Sequence, residues 1–245
     1  MNLIFATTRS VLSGGAAKVI LAFVSLSVVF MSIANALNKG LDQDLALDAL
    51  VPLAILTTLI IIVGACRFGA NAASQGSIGF AYLANNHRFK ELFVRVGVIT
   101  VALNAAAWLG VGLSYLALTA MGVTVDLNSW GNGQEGGAVL RAVLLEWIVY
   151  AVLASLTAIL IKSSAFSMLI WMLELFILEP FLPVLSIDWV QQIIGGLPGV
   201  VVRKMMHAPV LAPGWSVPAS CAMLVAWFVI LGGITAYQVK RRPVQ

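Results

Sequence analysis

The sequence predicts an all-α polytopic membrane protein with six transmembrane helices and both termini in the cytoplasm. Three observations carry this. Of 245 residues, 61% are hydrophobic and only 10% charged, against about 25% charged in a soluble domain. The apolar residues gather into six runs, each near or above the roughly 20 residues that cross about 30 Å of hydrocarbon as a helix. Lys and Arg are unevenly shared between the two sets of connections. A chain this apolar cannot shield itself from water, so its bulk solvent is lipid.

The six runs are residues 16–37, 50–66, 94–121, 139–161, 165–186 and 217–237, within a single transmembrane domain over residues 1–245. The connections are too short for a second domain. Unpaired backbone is too costly in lipid for any form but helix or closed barrel, and no run alternates as a barrel strand does. The first run follows a basic start and contains Ala34-Asn35-Ala36, as a cleaved signal would, but it is longer than a signal's apolar core and is read as a span. Before it, residues 1–13 alternate apolar and polar side chains, which suits a helix lying in the membrane interface. Residues 187–216 are apolar but broken by Gly195, Gly196, Pro198, Pro209 and Pro213, and flanked by Trp189 and Trp215. They are read as a short re-entrant or interfacial helical hairpin on the outer side.

Orientation follows from the cations. With the N-terminus inside, the inner set is Arg9, Lys18, Arg67, Arg88, Lys90, Arg95, Lys162, Lys240, Arg241 and Arg242. The outer set is Lys39, Arg141, Arg203 and Lys204, beside the acids Asp42, Asp44, Asp48, Asp126, Glu135 and Asp188.

Several functions are disfavoured. The two cysteines, Cys66 and Cys221, fall near opposite faces, and no zinc spacing exists. His87 and His207 lie outside the runs, where they cannot ligate a haem between helices. No HExxH or GxSxG pattern supports an intramembrane hydrolase, and no GxxxxGK[ST] loop binds a nucleotide. No catalytic residue, bound metal, cofactor or nucleic-acid partner is expected; membrane lipids are the expected neighbours.

Three acids do lie within runs: Glu146 in the fourth, Glu174 and Glu179 in the fifth. Ionisable groups at such depth are costly and mark pathways. Glu146 and Glu179 are each about seven residues from the outer end of their run, hence about 10 Å deep, and can share a polar cavity or a proton. Glu174 and Glu179 are five residues apart, about 140° around an α-helix, and are expected to face different neighbours. Pro180 can bend the helix beside them. They read as a translocation pathway or outer gate, or as glutamates bonded within helix packing. Gly110, Gly112, Gly232 and Gly233 suit close helix contact. Trp108, Trp147, Trp171 and Trp227 suit packing or lipid contact, and the basic tail suits anionic headgroups.

The loop between the second and third runs, Arg67 to Arg95, is cytoplasmic by the charge rule. A small-residue stretch leads to Gly76-Ser77, then an apolar segment with Ile78, Phe80, Tyr82 and Leu83, a turn at Asn85-Asn86, then Arg88, Lys90 and Arg95. Physically this is a short transverse helix with an exposed aromatic face, suited to a cytoplasmic partner or to lipid headgroups. In this loop the sequence resembles the permeases of ABC-2-type ATP-binding-cassette transporters. Gly76-Ser77 stands for their Gly-Thr, Leu83 for the apolar turn, Arg88 for the Arg and Arg95 for the later basic residue. Ala72 replaces their acidic residue, and Asn85-Asn86 their proline turn.

The resemblance implies a transport subunit, not an enzyme. It would form the pathway of an ATP-driven exporter in a bacterial cytoplasmic (inner) membrane. Gly76, Phe80, Tyr82, Leu83 and Arg88 would belong to a coupling helix that meets a separate ATP-binding-cassette ATPase subunit. ATP and Mg would bind that partner, and a second permease chain, identical or sister, would complete the pathway. The alternatives are a proton-coupled secondary transporter using Glu146 and Glu179, and a non-transporting membrane scaffold or sensor.

Overall fold

The apolar runs fold as helices because lipid offers the backbone no other partner. The computed structural model describes residues 3–39, 45–46, 50, 54–74, 88–130, 134–181, 185, 187–205 and 215–241. In chain order the helices are α1 (Leu3–Leu12), α2 (Gly15–Lys39), α3 (Ala54–Ser74), α4 (Arg88–Ala120), α5 (Gly136–Ile161) and α6 (Ser164–Leu173). A π turn (Glu174–Leu178) and one α turn (Glu179–Phe181) prolong α6, followed by α7 (Asp188–Gly195), α8 (Pro198–Met205) and α9 (Val217–Arg241). Five of these helical segments are long and apolar enough to cross a membrane: α2, α4, α5, α6 with its extension, and α9. The second predicted span, α3, is apolar over the shorter stretch Ile55–Asn71. The protein is thus an all-α, multi-pass membrane protein.

Helix α5 is the axis of the bundle. Two thirds (67%) of its most apolar stretch is buried, against 17% for α9. It is apolar all round, as a helix surrounded by others must be, and packs on α3, α4, α6, α8 and α9. The outer surface carries the large side chains that lipid would cover, among them Phe23, Leu26 and Phe30 of α2 and Val225, Val229 and Ile230 of α9. Between α5 and α6 the chain reverses in two residues. Lys162 takes the left-handed conformation (φ 62°) and Ser163 caps α6, its hydroxyl accepting from the Phe166 N–H at 3.4 Å. Two-residue ladders join the connections at the opposite end. β1 (Leu45–Ala46) pairs in parallel with β2 (Val125–Asp126), and β3 (Ser129–Trp130) pairs antiparallel with β4 (Gln134–Glu135). The end of α2 and the end of α4 therefore share one face of the bundle.

Small residues set the closest crossings. A Cβ on Gly69 would stand 2.7 Å from the Ser155 carbonyl oxygen, and one on Gly110 would stand 2.7 Å from that of Ser25 and 2.8 Å from Val28 Cβ. The second crossing is fastened by the Ser25 hydroxyl donating to Ala106 O at 2.7 Å. Gly110 is the packing glycine the sequence predicts. Gly112 and Gly233 are not, having open space where a Cβ would be, and Gly232 meets only Phe93 at 4.0 Å. The reason is the helical period: Gly112 is turned about 160° from Gly110. Accordingly Gly69→Ala and Gly110→Ala should each cost about 1–3 kcal/mol through overpacking. Gly112→Ala should leave the thermal unfolding midpoint in the same detergent unchanged or slightly raised.

Helix α1 forms where the alternating N-terminus predicts it. It is tied to α4 through a buried polar node: the Thr7 hydroxyl donates to the Glu91 carboxylate (3.4 Å to Oε1), which pairs with Arg95 Nη2 at 3.3 Å. All three residues are buried. Arg95, the later basic residue of the resemblance, is thus engaged inside the fold.

Candidate functional site

The sequence-predicted intramembrane acids converge on one cluster at the ladder end of the bundle. Glu146 enters from α5, ten residues after its start and hence about 15 Å along it. Tyr150 follows one turn later on the same face of α5. Glu174 and Glu179 enter from the π turn and its successor. All four are buried. Arg203 enters from α8 and is about a third exposed.

The guanidinium of Arg203 donates side-on to Glu146, Nε to Oε2 at 3.2 Å and Nη2 to Oε1 at 3.3 Å. The same Nη2 lies 3.7 Å from Glu179 Oε2. The Tyr150 hydroxyl lies 2.7 Å from Glu174 Oε2 and 3.2 Å from Glu179 Oε1. Glu174 Oε1 has no partner among the described residues.

The expectation that Glu174 and Glu179 face different neighbours is overturned, since both reach Tyr150. The cause is the π turn. The Glu179 N–H donates to Glu174 O, an i→i+5 bond that stacks the two residues. An α-helix would set them about 140° apart. One residue of extra helical turn is a frequent device at functional sites. The shared cluster of Glu146 and Glu179 is as the sequence suggests.

Helices α7 and α8 form the hairpin expected between the last two spans, and they hold Arg203 in place. Ile194, Leu197 and Val200 pack with Val190 and Leu178 into a small apolar core under the hairpin. At its turn, Gly196 O accepts from Trp227 Nε1 of α9 at 2.8 Å. Gly195 lies under the Trp215 ring, where a Cβ would stand 2.8 Å from Cδ1. Gly199, in the first turn of α8, abuts the Glu179 carboxylate so closely that a Cβ there would overlap it. A carboxylate at a helix start is favoured by the positive end of the helix dipole. Behind the cluster, Tyr150 meets Trp171 edge-on (centroids 5.8 Å, 88°), and Trp171 meets Trp227 (6.3 Å, 58°). Trp108 and Trp147 form a further pair at 6.3 Å.

Of the coupling residues, Gly76, Phe80, Tyr82 and Leu83 lie outside the described residues, and Arg88 is the first residue of α4. Sequence reasoning missed two members of the cluster. Tyr150 had a signal, its i+4 spacing from Glu146. Arg203 had another: a cation within an apolar hairpin, facing acids of similar depth. In the charge rule it counts only towards orientation.

In the ladder connections, Asp126 of β2 accepts the Asn128 N–H at 2.9 Å. That bond, with those from Ser129, holds its carboxyl below the usual range.

No family model matches the chain, and no curated protein or solved structure is detectably similar to it.

Proposed function

We propose that this chain is the membrane-spanning permease subunit of an ATP-driven exporter, working with a separate ATP-binding-cassette ATPase and a second permease chain. In this reading it has six spans, α3 included, both termini are cytoplasmic, and the membrane is a bacterial inner membrane. The observation that carries the reading is the α7–α8 hairpin, fastened by Arg203 onto acids of the bundle core. It is a cap on a bundle end, held by polar contacts that can be exchanged. The end of α3 lies at the opposite end of the bundle, where the chain continues into the proposed coupling residues. A displacement of α3 reaches the cap through the tight α3–α5 crossing at Gly69, because α5 also carries Glu146 and Tyr150. Differential contact with the ATPase in its two nucleotide states would then bias the cap between closed and open.

The test is purification from the native membrane in mild detergent, with mass spectrometry of what accompanies the chain. The expected result is an ATPase subunit with a phosphate-binding loop, lost when Phe80 and Leu83 are changed to alanine. Recovery of no such subunit after crosslinking would refute the reading. The carboxyl-rich cluster favours one other reading, a carrier driven by the proton gradient. Its mark would be flux abolished by an uncoupler and indifferent to ATP.

A further inference from the structure

The cluster holds three acids and one base, and the base is shared unequally. Glu146 takes both contacts of the side-on Arg203 pair. Glu179 takes the remaining ion pair and the start of α8 at Gly199. Glu174 takes neither. It is 5% exposed, and among the described residues it has no cation in contact and no partner for Oε1. A buried carboxylate in that setting is not sustained as an ion. Tyr150 adds a second constraint. Its hydroxyl has one hydrogen, yet carboxyl oxygens lie at 2.7 and 3.2 Å on two sides. Both contacts become full hydrogen bonds only if one carboxyl group brings a hydrogen of its own.

We infer that Glu174, Tyr150 and Glu179 form a proton-binding site, with the proton resident on Glu174. The Glu174 Oε2–H donates to Tyr150 Oη, and the Tyr150 O–H donates to Glu179 Oε1. Glu179 then stays ionic beside Arg203, and the neutral acid stands at Glu174, the position without a cation in contact among the described residues. The other groups facing the site are Glu146 on α5 and, one turn along α5, the Cys66 thiol of α3, which donates to Ala154 O. This deepens the reading of the cluster as a cap fastening, and it stands whether or not an ATPase partner exists.

Infrared spectroscopy of the purified full chain in lipid nanodiscs at neutral pH tests it. A carbonyl band of a protonated carboxylic acid is expected, shifting in heavy water. Glu174→Gln should abolish the band and Glu146→Gln should keep it. Tyr150→Phe should keep it but move it to higher frequency, since the acid loses its acceptor. Absence of the band in the native chain, its survival in Glu174→Gln, or an unmoved band in Tyr150→Phe would overturn the assignment. The Tyr150→Phe comparison remains decisive if Glu174→Gln does not fold. None of these readouts needs ATP or the partner, so failure here and failure of the exporter reading are separate results.

Discussion

Arg203→Met is expected to loosen the cap and to lower stability by about 2–3 kcal/mol. Removing one partner of a fully buried ion pair costs about 3–5 kcal/mol, because the other charge is left without compensation. Arg203 is about a third exposed, so water or lipid headgroups offset part of that loss. Glu146 has no such relief, being 3% exposed. The cost therefore arises mainly from Glu146, and removing its charge should recover much of it. Glu146→Gln in the Arg203→Met background should restore more than half of the loss, and Glu179→Gln less, since its ion pair is longer. A double-mutant cycle by thermal unfolding in one detergent measures both. Additive losses would show that the guanidinium and Glu146 do not interact. Single-cysteine labelling on α7 or α8 should also become faster in Arg203→Met.

Trp147→Ala should produce the largest loss of stability in the bundle core. Trp147 is fully buried on α5 and packs edge-on against Trp108. In soluble cores such a truncation costs about 3–5 kcal/mol, as lost transfer plus a cavity. In a bilayer the transfer part shrinks, because lipid is as apolar as the core, while the cavity part remains. About 2–4 kcal/mol is therefore expected. The indole nitrogen has no partner among the described residues, so Trp147→Phe forfeits volume but no hydrogen bond and should cost clearly less than alanine. Equal losses for Phe and Ala would mean that the nitrogen, and not the ring, holds the helix.

Much of this architecture was legible because lipid allows few answers. Runs of apolar residues gave the positions of α2, α4, α5 and α9, and the glycines and prolines of residues 187–216 gave the hairpin. The limits of the elements were less legible, since apolarity marks immersion and not helicity. Helix α4 begins at Arg88, six residues before the apolar run, because the stretch ahead of that run is an amphipathic helical turn with Leu92 buried and Lys90 exposed. The convergence of Glu174 and Glu179 on Tyr150 was illegible for a different reason. A separation of five residues reads as α-helical spacing unless the i→i+5 bond is known, and no side chain in Glu174–Leu178 announces that bond. The coupling residues rest on the resemblance alone.

The members of the carboxylate cluster follow one another in the chain as Glu146, Tyr150, Glu174, Glu179 and, last, Arg203. A ribosome delivering the chain to the membrane therefore supplies every acid of the cluster before its base. Until Arg203 emerges, α5 and α6 must settle in the bilayer without their counter-ion. The hairpin of α5 and α6 therefore enters before the contact that fastens its acids exists, and only α8, made later, supplies the cation that pairs with Glu146 and Glu179.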